Sequence, residues 1–323
     1  MRKGIFSISL DFELIWGTLD LFGKEKFERD CRIERAVVID RLLELFGELD
    51  ISATWLVVGH LFLDKCEPRA GVHHPEIVRP QHSWVKSDWF SHDPGLDERS
   101  EPLFYARHLV EKIRDFHVHQ EIGSHSFSHI IYGDIGCSEA AAESDLKASV
   151  RAAAHLGILQ RSFAFPRDRI GHLDVLRRHG ITAYRTEIPL WYERGQRTLS
   201  KRLAHLWDVL RAATPPVGRP SIDDNGLCAI PGSMIYFPLH GMRQYIPMSR
   251  RVARAIKGLD LAVKDKAIFH LWFHPTNMAA KTDRMFAGLR SILEHANSLR
   301  QDGKISVMTM PEIEDSFRLE SNG

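Results

Sequence analysis

Residues 4–14 read GIFSISLDFEL. Apolar and small polar residues alternate up to Leu10, and Ile5, Phe6 and Ile8 are β-branched or aromatic, which predicts a first β-strand. Asp11 and Glu13 follow two residues apart, and a strand of period two sends both carboxylates to one face. Two acids inside an otherwise apolar run are costly unless they pair or bind something. The next segments set the fold. RIERAVVIDRLLELFGELD at 32–50 carries apolar residues at helical spacing, and ISATWLVVG at 51–59 returns to strand character, so the chain opens β-α-β.

The same order recurs downstream. LFYARHLVEKIRDF (103–116) precedes the strand candidate HQEIGSHS (119–126), SEAAAESDLKASVRAAAHLG (138–157) precedes RSFAFPR (161–167), and GHLDVLRRHG (171–180) precedes ITAYRT (181–186). Near the end, KAIFHLWFHP (266–275) is an apolar strand stopped by proline. RMFAGLRSILEHANSLRQDG (284–303) is an amphipathic helix closed by glycine, and ISVMTM (305–310) is a last strand. Strands alternating with helices predict an α/β fold, a mostly parallel sheet or barrel wrapped by helices, in one domain over residues 1–323. Two stretches break the rhythm, near 64–102 and 193–233, and are expected to be long loops that cover or line a site.

Composition narrows the function classes. The chain has 44% hydrophobic residues and a formal net charge of +1 with both signs interspersed, which suits a globular protein with a small ligand rather than a nucleic-acid or membrane partner. No stretch approaches the roughly 18 to 20 apolar residues of a membrane-spanning helix, and the N-terminal residues read as a strand, so the expected location is the cytoplasm. Cys31, Cys66, Cys137 and Cys228 are too scattered for a disulfide framework or a thiolate zinc cluster and read as incidental thiols. Oligomeric state is not encoded in any of these features.

The chemistry-bearing residues gather at predicted strand ends, where parallel α/β folds place their sites. His125 and His129 follow the third strand, and a spacing of four would put both rings on one helical face within reach of one cation. Arg167 and Arg169 follow RSFAFP, and His274 precedes Pro275. Within the first long stretch, Trp84, Trp89 and Phe90 offer flat surfaces of the kind that hold a sugar ring.

Together these motifs resemble the polysaccharide deacetylase family, carbohydrate esterase family four, or NodB homology domain. HQEIGSHSFSH (119–129) is similar to the family's second motif, SLDFE (9–13) to its first, RDRIG (167–171) to its third and WFH (272–274) to its fifth. The resemblance implies a distorted (β/α) barrel of seven or eight mostly parallel strands. It implies a metal, zinc or another divalent transition metal, on Glu13, His125 and His129. It also implies Asp11 as general base, Arg167 as the residue pairing with that aspartate, and His274 as general acid.

Two departures stand out. Phe12 separates acids that are adjacent in the family, which leaves the roles of Asp11 and Glu13 exchangeable, and Asp168 and Arg169 replace the prolines of the third motif. Trp191 is a candidate for the fourth motif or a plain core residue. The implied reaction is hydrolysis of an N-acetyl or N-formyl group on an amino sugar, and a cytoplasmic setting points to a nucleotide-linked, lipid-linked or short-glycan substrate in polysaccharide biosynthesis. The competing readings are an amidase acting on a non-sugar amide, a non-catalytic sugar-binding protein, and a glycoside hydrolase using Asp11 and Glu13. The last leaves three histidines without a role and sets the two acids too close together.

Overall fold

The computed structural model describes residues 1–20, 22–187 and 212–321. Among these residues ten strands form one sheet: β1 (Gly4–Phe12), β2 (Ala53–Val57), β3 (Gln120–Ser124), β4 (Ser162–Phe163), β5 (Ala183–Glu187), β6 (Ser221–Ile222), β7 (Cys228–Gly232), β8 (Met234–Ile235), β9 (Ile268–Phe273) and β10 (Ile305–Val307). All pairs are parallel except β6 with β7. The pairing runs from β1 through β2, β3, β4 and β5 to β7. Only Ser233 separates β7 from β8, and β8 pairs with β9, which returns to β1. The sheet therefore curls into the distorted, mostly parallel barrel that the motif resemblance implies, with β4 and β8 as staves of two residues each.

Period two sorts the side chains. Phe6, Ile8, Leu10 and Phe12 of β1 face outward into the main core, with Leu42, Phe46, Trp55 and Leu293. The helix Ile39–Glu48 meets them with Ile39, Leu42, Leu43, Leu45 and Phe46, one stripe at helical spacing. Ile5, Leu56, Ala183, Cys228, Ile230 and Ile268 face inward, and Met310 and Ile313 of the C-terminal helix close that end of the barrel. Met310 donates its N–H to Thr54 Oγ1 at 3.0 Å, which seats this helix. The other end, where the parallel strands finish, is polar.

Two expectations need revision. Residues 228–232, read as part of a long polar excursion, supply β7, which together with β8 just beyond that stretch joins the two edges of the barrel. The segment between the turn Gly59–Phe62 and the helix Arg107–Arg114 is, as expected, free of named helices and strands, with isolated bridges at Lys65–Asp97 and Arg69–Val72. It nonetheless buries Ile77, Phe90, His74, His82 and Asp93. No described helix is long and apolar enough to cross a membrane.

Candidate active site at the strand tips

Asp11 is the last inward residue of β1, and Glu13 follows on the same side one residue past the strand. The chain then turns through Leu14, at φ 47°, into the short helix Trp16–Leu19. Gly17 on that helix lies against the Glu13 carboxylate: a Cβ there would sit 1.5 Å from Glu13 Oε2. A cradle that small is what places the acid.

His125 immediately follows β3 and hydrogen-bonds Ala164 O through Nδ1 at 2.8 Å. That carbonyl takes the ring proton on Nδ1, so Nε2 is the nitrogen aimed at Glu13 Oε1, 2.8 Å away. His129 Nε2 lies 3.4 Å from the same oxygen. The two rings meet at 5.2 Å between centroids, but the helical-face argument for the pair does not hold. Residues 125–131 form a loop, with Ser126 and His129 in the left-handed region at φ 65° and 61°. The reason lies in where its backbone groups go. Phe127 and Ser128 donate their N–H groups to buried Asp145 at 2.8 and 3.1 Å, and Gly59 and His60 donate to Ser126 O and Phe127 O. Asp145 also accepts from Ser128 Oγ and Tyr132 Oη. The sequence reading missed this residue, hidden in an alanine-rich helix.

Arg167 was expected to hold Asp11, and the geometry corrects that pairing. Arg167 sits in the turn Pro166–Asp168 at φ 58°, which aims it at Asp20, with Nε to Oδ2 at 3.0 Å, and at Gly17 O. The partner of Asp11 is Arg185, an inward residue of β5, whose Nη1 and Nη2 reach the two carboxylate oxygens at 2.7 Å each. Trp272 covers the guanidinium, its ring centroid 4.2 Å from Cζ. Ser9 Oγ accepts from Arg185 at 3.1 Å and contacts His270 Nε2 at 2.8 Å.

These contacts set the charges. Burial opposes ionisation of Asp11, but Arg185 and then His125 hold its carboxyl below the ordinary range. Burial likewise opposes charge on Glu13, yet His274, His129 and the His125 hydrogen bond hold it well below. Burial, reinforced by Arg185, pushes His270 down to about 3, so that ring stays neutral. His274 Nε2 lies 3.4 Å from Glu13 and 3.9 Å from Asp11. Loss of water works against its cation, but Glu13 and Asp11 carry its pKa up to about 9.

Glu13, His125 and His129 present ligand atoms within 4.8 Å of one another. Two buried imidazole nitrogens converging on one carboxylate oxygen are a donor set that a divalent cation satisfies, so the residues fit the metal that the resemblance implies. The centre opens into a cleft of about 650 Å³ lined also by Phe22, Trp84, Ile131, Asp134, Phe165, Arg167, Arg169 and Trp272. Trp84 stacks on His82, which contacts Asp134 at 2.9 Å, so the long loop supplies part of the cleft wall. Trp89 faces a neighbouring cavity instead and donates its indole N–H to Ser128 O. Trp191 lies outside the described residues.

No family model matches the chain, and no curated protein sequence matches it. Among solved structures, it is similar to one described as a polysaccharide deacetylase from Mycobacterium smegmatis, with a TM-score of 0.62 at 12% identity over 99% of this chain and 92% of that one. An allantoinase matches at TM-score 0.61 and 12% identity, over 96% and 89% of the two chains. A third structure, described as a polysaccharide deacetylase from Pseudomonas aeruginosa PAO1, matches at 0.60 and 12%, over 98% and 91%. The barrel expected from the motif resemblance is the fold of these proteins. At such identity the likeness concerns the fold, and function is argued from the site.

Proposed function

We propose that the chain is a metal-dependent hydrolase that removes an N-acyl group, acetyl or formyl, from an amino sugar. One observation carries the reading: an Arg-held carboxylate, a Glu/His/His metal-ligand set and a further imidazole, His274, converge at one mouth of the barrel. In this assignment Glu13, His125 and His129 hold the metal, supported by the convergence of the two histidine Nε2 atoms on Glu13 Oε1. When bound, a divalent cation would polarise the acyl carbonyl and make a neighbouring water more acidic. Zinc suits the nitrogen and oxygen donors.

Asp11, with both oxygens engaged by Arg185, is the base: it stays ionised and takes a proton from the attacking water. Arg185 keeps that carboxylate aimed and charged. His274, 30% exposed to the cleft, gives a proton in its imidazolium form to the departing nitrogen. Water and amide thereby become carboxylate and amine.

Trp84, Phe22 and Trp272 provide flat apolar surfaces for a sugar ring. Arg169, exposed on the cleft wall and without an ion pair among the described residues, supports an anionic substituent such as the phosphates of a nucleotide-linked or lipid-linked sugar. The fold likeness covers a deacetylase and an allantoinase alike, so it does not separate an amino sugar from a non-sugar amide. The deciding experiment measures acetate and formate release from N-acylated nucleotide sugars, short glycans and non-sugar amides by the zinc-loaded chain. Turnover of an amino sugar that disappears in His125→Ala is expected. Exclusive turnover of non-sugar amides would replace the substrate, and no turnover of any of them would overturn the reading.

A further inference from the structure

A second group of metal-ligand side chains lies in the long segment after β2, apart from the strand-tip site. His60, Cys66, His74 and Asp93 bring four potential ligand atoms within 4.8 Å of one another, and all four residues are buried. His60 Nε2 is 3.0 Å from Asp93 Oδ2, His74 Nε2 is 3.2 Å from the same oxygen, and Cys66 Sγ is 3.3 Å from His74 Nε2. In tetrahedral zinc sites, nitrogen and oxygen ligands stand about 3.3 Å apart and thiolate and nitrogen about 3.6 Å, as the metal–ligand bond lengths require. These three pairs have those spacings to within a few tenths of an ångström, and the other pairs of the set lie within 4.8 Å.

The hydrogen bonds around it have the pattern of a prepared ligand set. His60 Nδ1 faces Phe104 O at 3.0 Å, which fixes that proton and leaves the Nε2 lone pair facing the Asp93 oxygen. A neutral ring has one N–H for these two acceptors, and a cation between Nε2 and Oδ2 removes the conflict. The other Asp93 oxygen is already oriented by Tyr105 Oη at 3.1 Å and Gly95 N–H at 3.0 Å. The surrounding segment lacks named helices and strands, and segments of that length need another source of order.

We propose that His60, Cys66, His74 and Asp93 form a second, structural zinc site that pins the long loop to the barrel. Four protein ligands complete a tetrahedron, so this centre is closed to substrate. Binding converts the Cys66 thiol to thiolate, and its proton leaves to solvent. Cys66, set aside as incidental from its spacing, becomes a ligand.

Metal analysis of the zinc-reconstituted full chain after dialysis tests this, with about two zinc per chain expected, falling to about one in Cys66→Ser and to about one in His125→Ala. Loading with cobalt gives a second reading that does not depend on the variants folding. Cys66 is the one cysteine in such a group among the described residues, so the cobalt-loaded wild type is expected to show a near-ultraviolet thiolate charge-transfer band. About one zinc, lost in His125→Ala, together with no thiolate band in the folded cobalt-loaded chain, overturns the proposal. Absence of zinc loss in His125→Ala alone would instead strike at the strand-tip reading.

Discussion

The two histidine and carboxylate clusters are built alike and exposed differently. In each, one histidine fixes Nδ1 on a backbone carbonyl, His125 on Ala164 and His60 on Phe104, and turns Nε2 to an acid. The strand-tip cluster has three such ligands, opens on a cleft, and keeps Asp11 and His274 beside it. The loop cluster has four and is sealed beneath Phe90, Phe127 and Trp16. An open coordination sphere suits chemistry and a closed one suits stability. They share a wall: Trp16 packs against His60 with ring centroids 4.4 Å apart, while Gly17 beside it cradles Glu13. Clamping the loop therefore braces the element that aims the acid.

The largest expected effect falls on the open site. Asp11→Asn removes the base but no assigned ligand, so kcat should drop by about 10²- to 10⁴-fold with metal content unchanged, while the melting temperature falls because the buried Arg185 cation loses its paired carboxylate. Steady-state kinetics beside metal analysis checks this. Loss of metal in Asp11→Asn would exchange the roles of Asp11 and Glu13.

The next effect falls on the closed site. Asp93→Ala leaves His60, Tyr105 and the Gly95 N–H without their buried partner, and should lower the unfolding free energy by about 3–5 kcal/mol in urea titration. Stability within about 0.5 kcal/mol of wild type, the range of ordinary surface changes, would erase the contrast between the clusters.

Gly17→Ala sharpens the contrast from the shared wall. Its methyl group displaces the Glu13 carboxylate, and the strand-tip metal affinity should weaken by about 10- to 100-fold, as for the loss of an outer-shell partner. Alanine is the better helix former, so the fold should be retained. Competition with a chelator of known affinity measures the first effect, and thermal melting the second.

What was legible in the sequence follows the same division. The open site could be read because strand geometry is periodic: Asp11 and Glu13 share a face, and strand ends gather in parallel folds. Arg185 was legible by the same rule, since an arginine at an inward position of ITAYRT demands an acid, but the motif resemblance gave that role to Arg167. His125 and His129 were paired on helical spacing, while a loop held by Asp145 joins them. β7 was missed because Pro231 reads against a strand. The closed cluster had no pattern to find. Its residues stand 6, 8 and 19 positions apart in an aperiodic segment, and only tertiary packing brings them together.

The smallest expected effect concerns which arginine governs the base, and the pH profile separates the two. Asp11 acts only when deprotonated, so the acid limb of kcat/KM reports its pKa. Arg185 holds that pKa below the ordinary carboxylate range through two hydrogen bonds and its charge. Lysine retains the charge but not the paired geometry, so in Arg185→Lys the pKa should rise and the acid limb move to higher pH by about one unit. Arg167 pairs with Asp20, so Arg167→Lys should leave that limb in place. A limb that moves with Arg167 and ignores Arg185 would mean that the pair at the tip of β5 is a buried strut, and the open site would lose its assigned base.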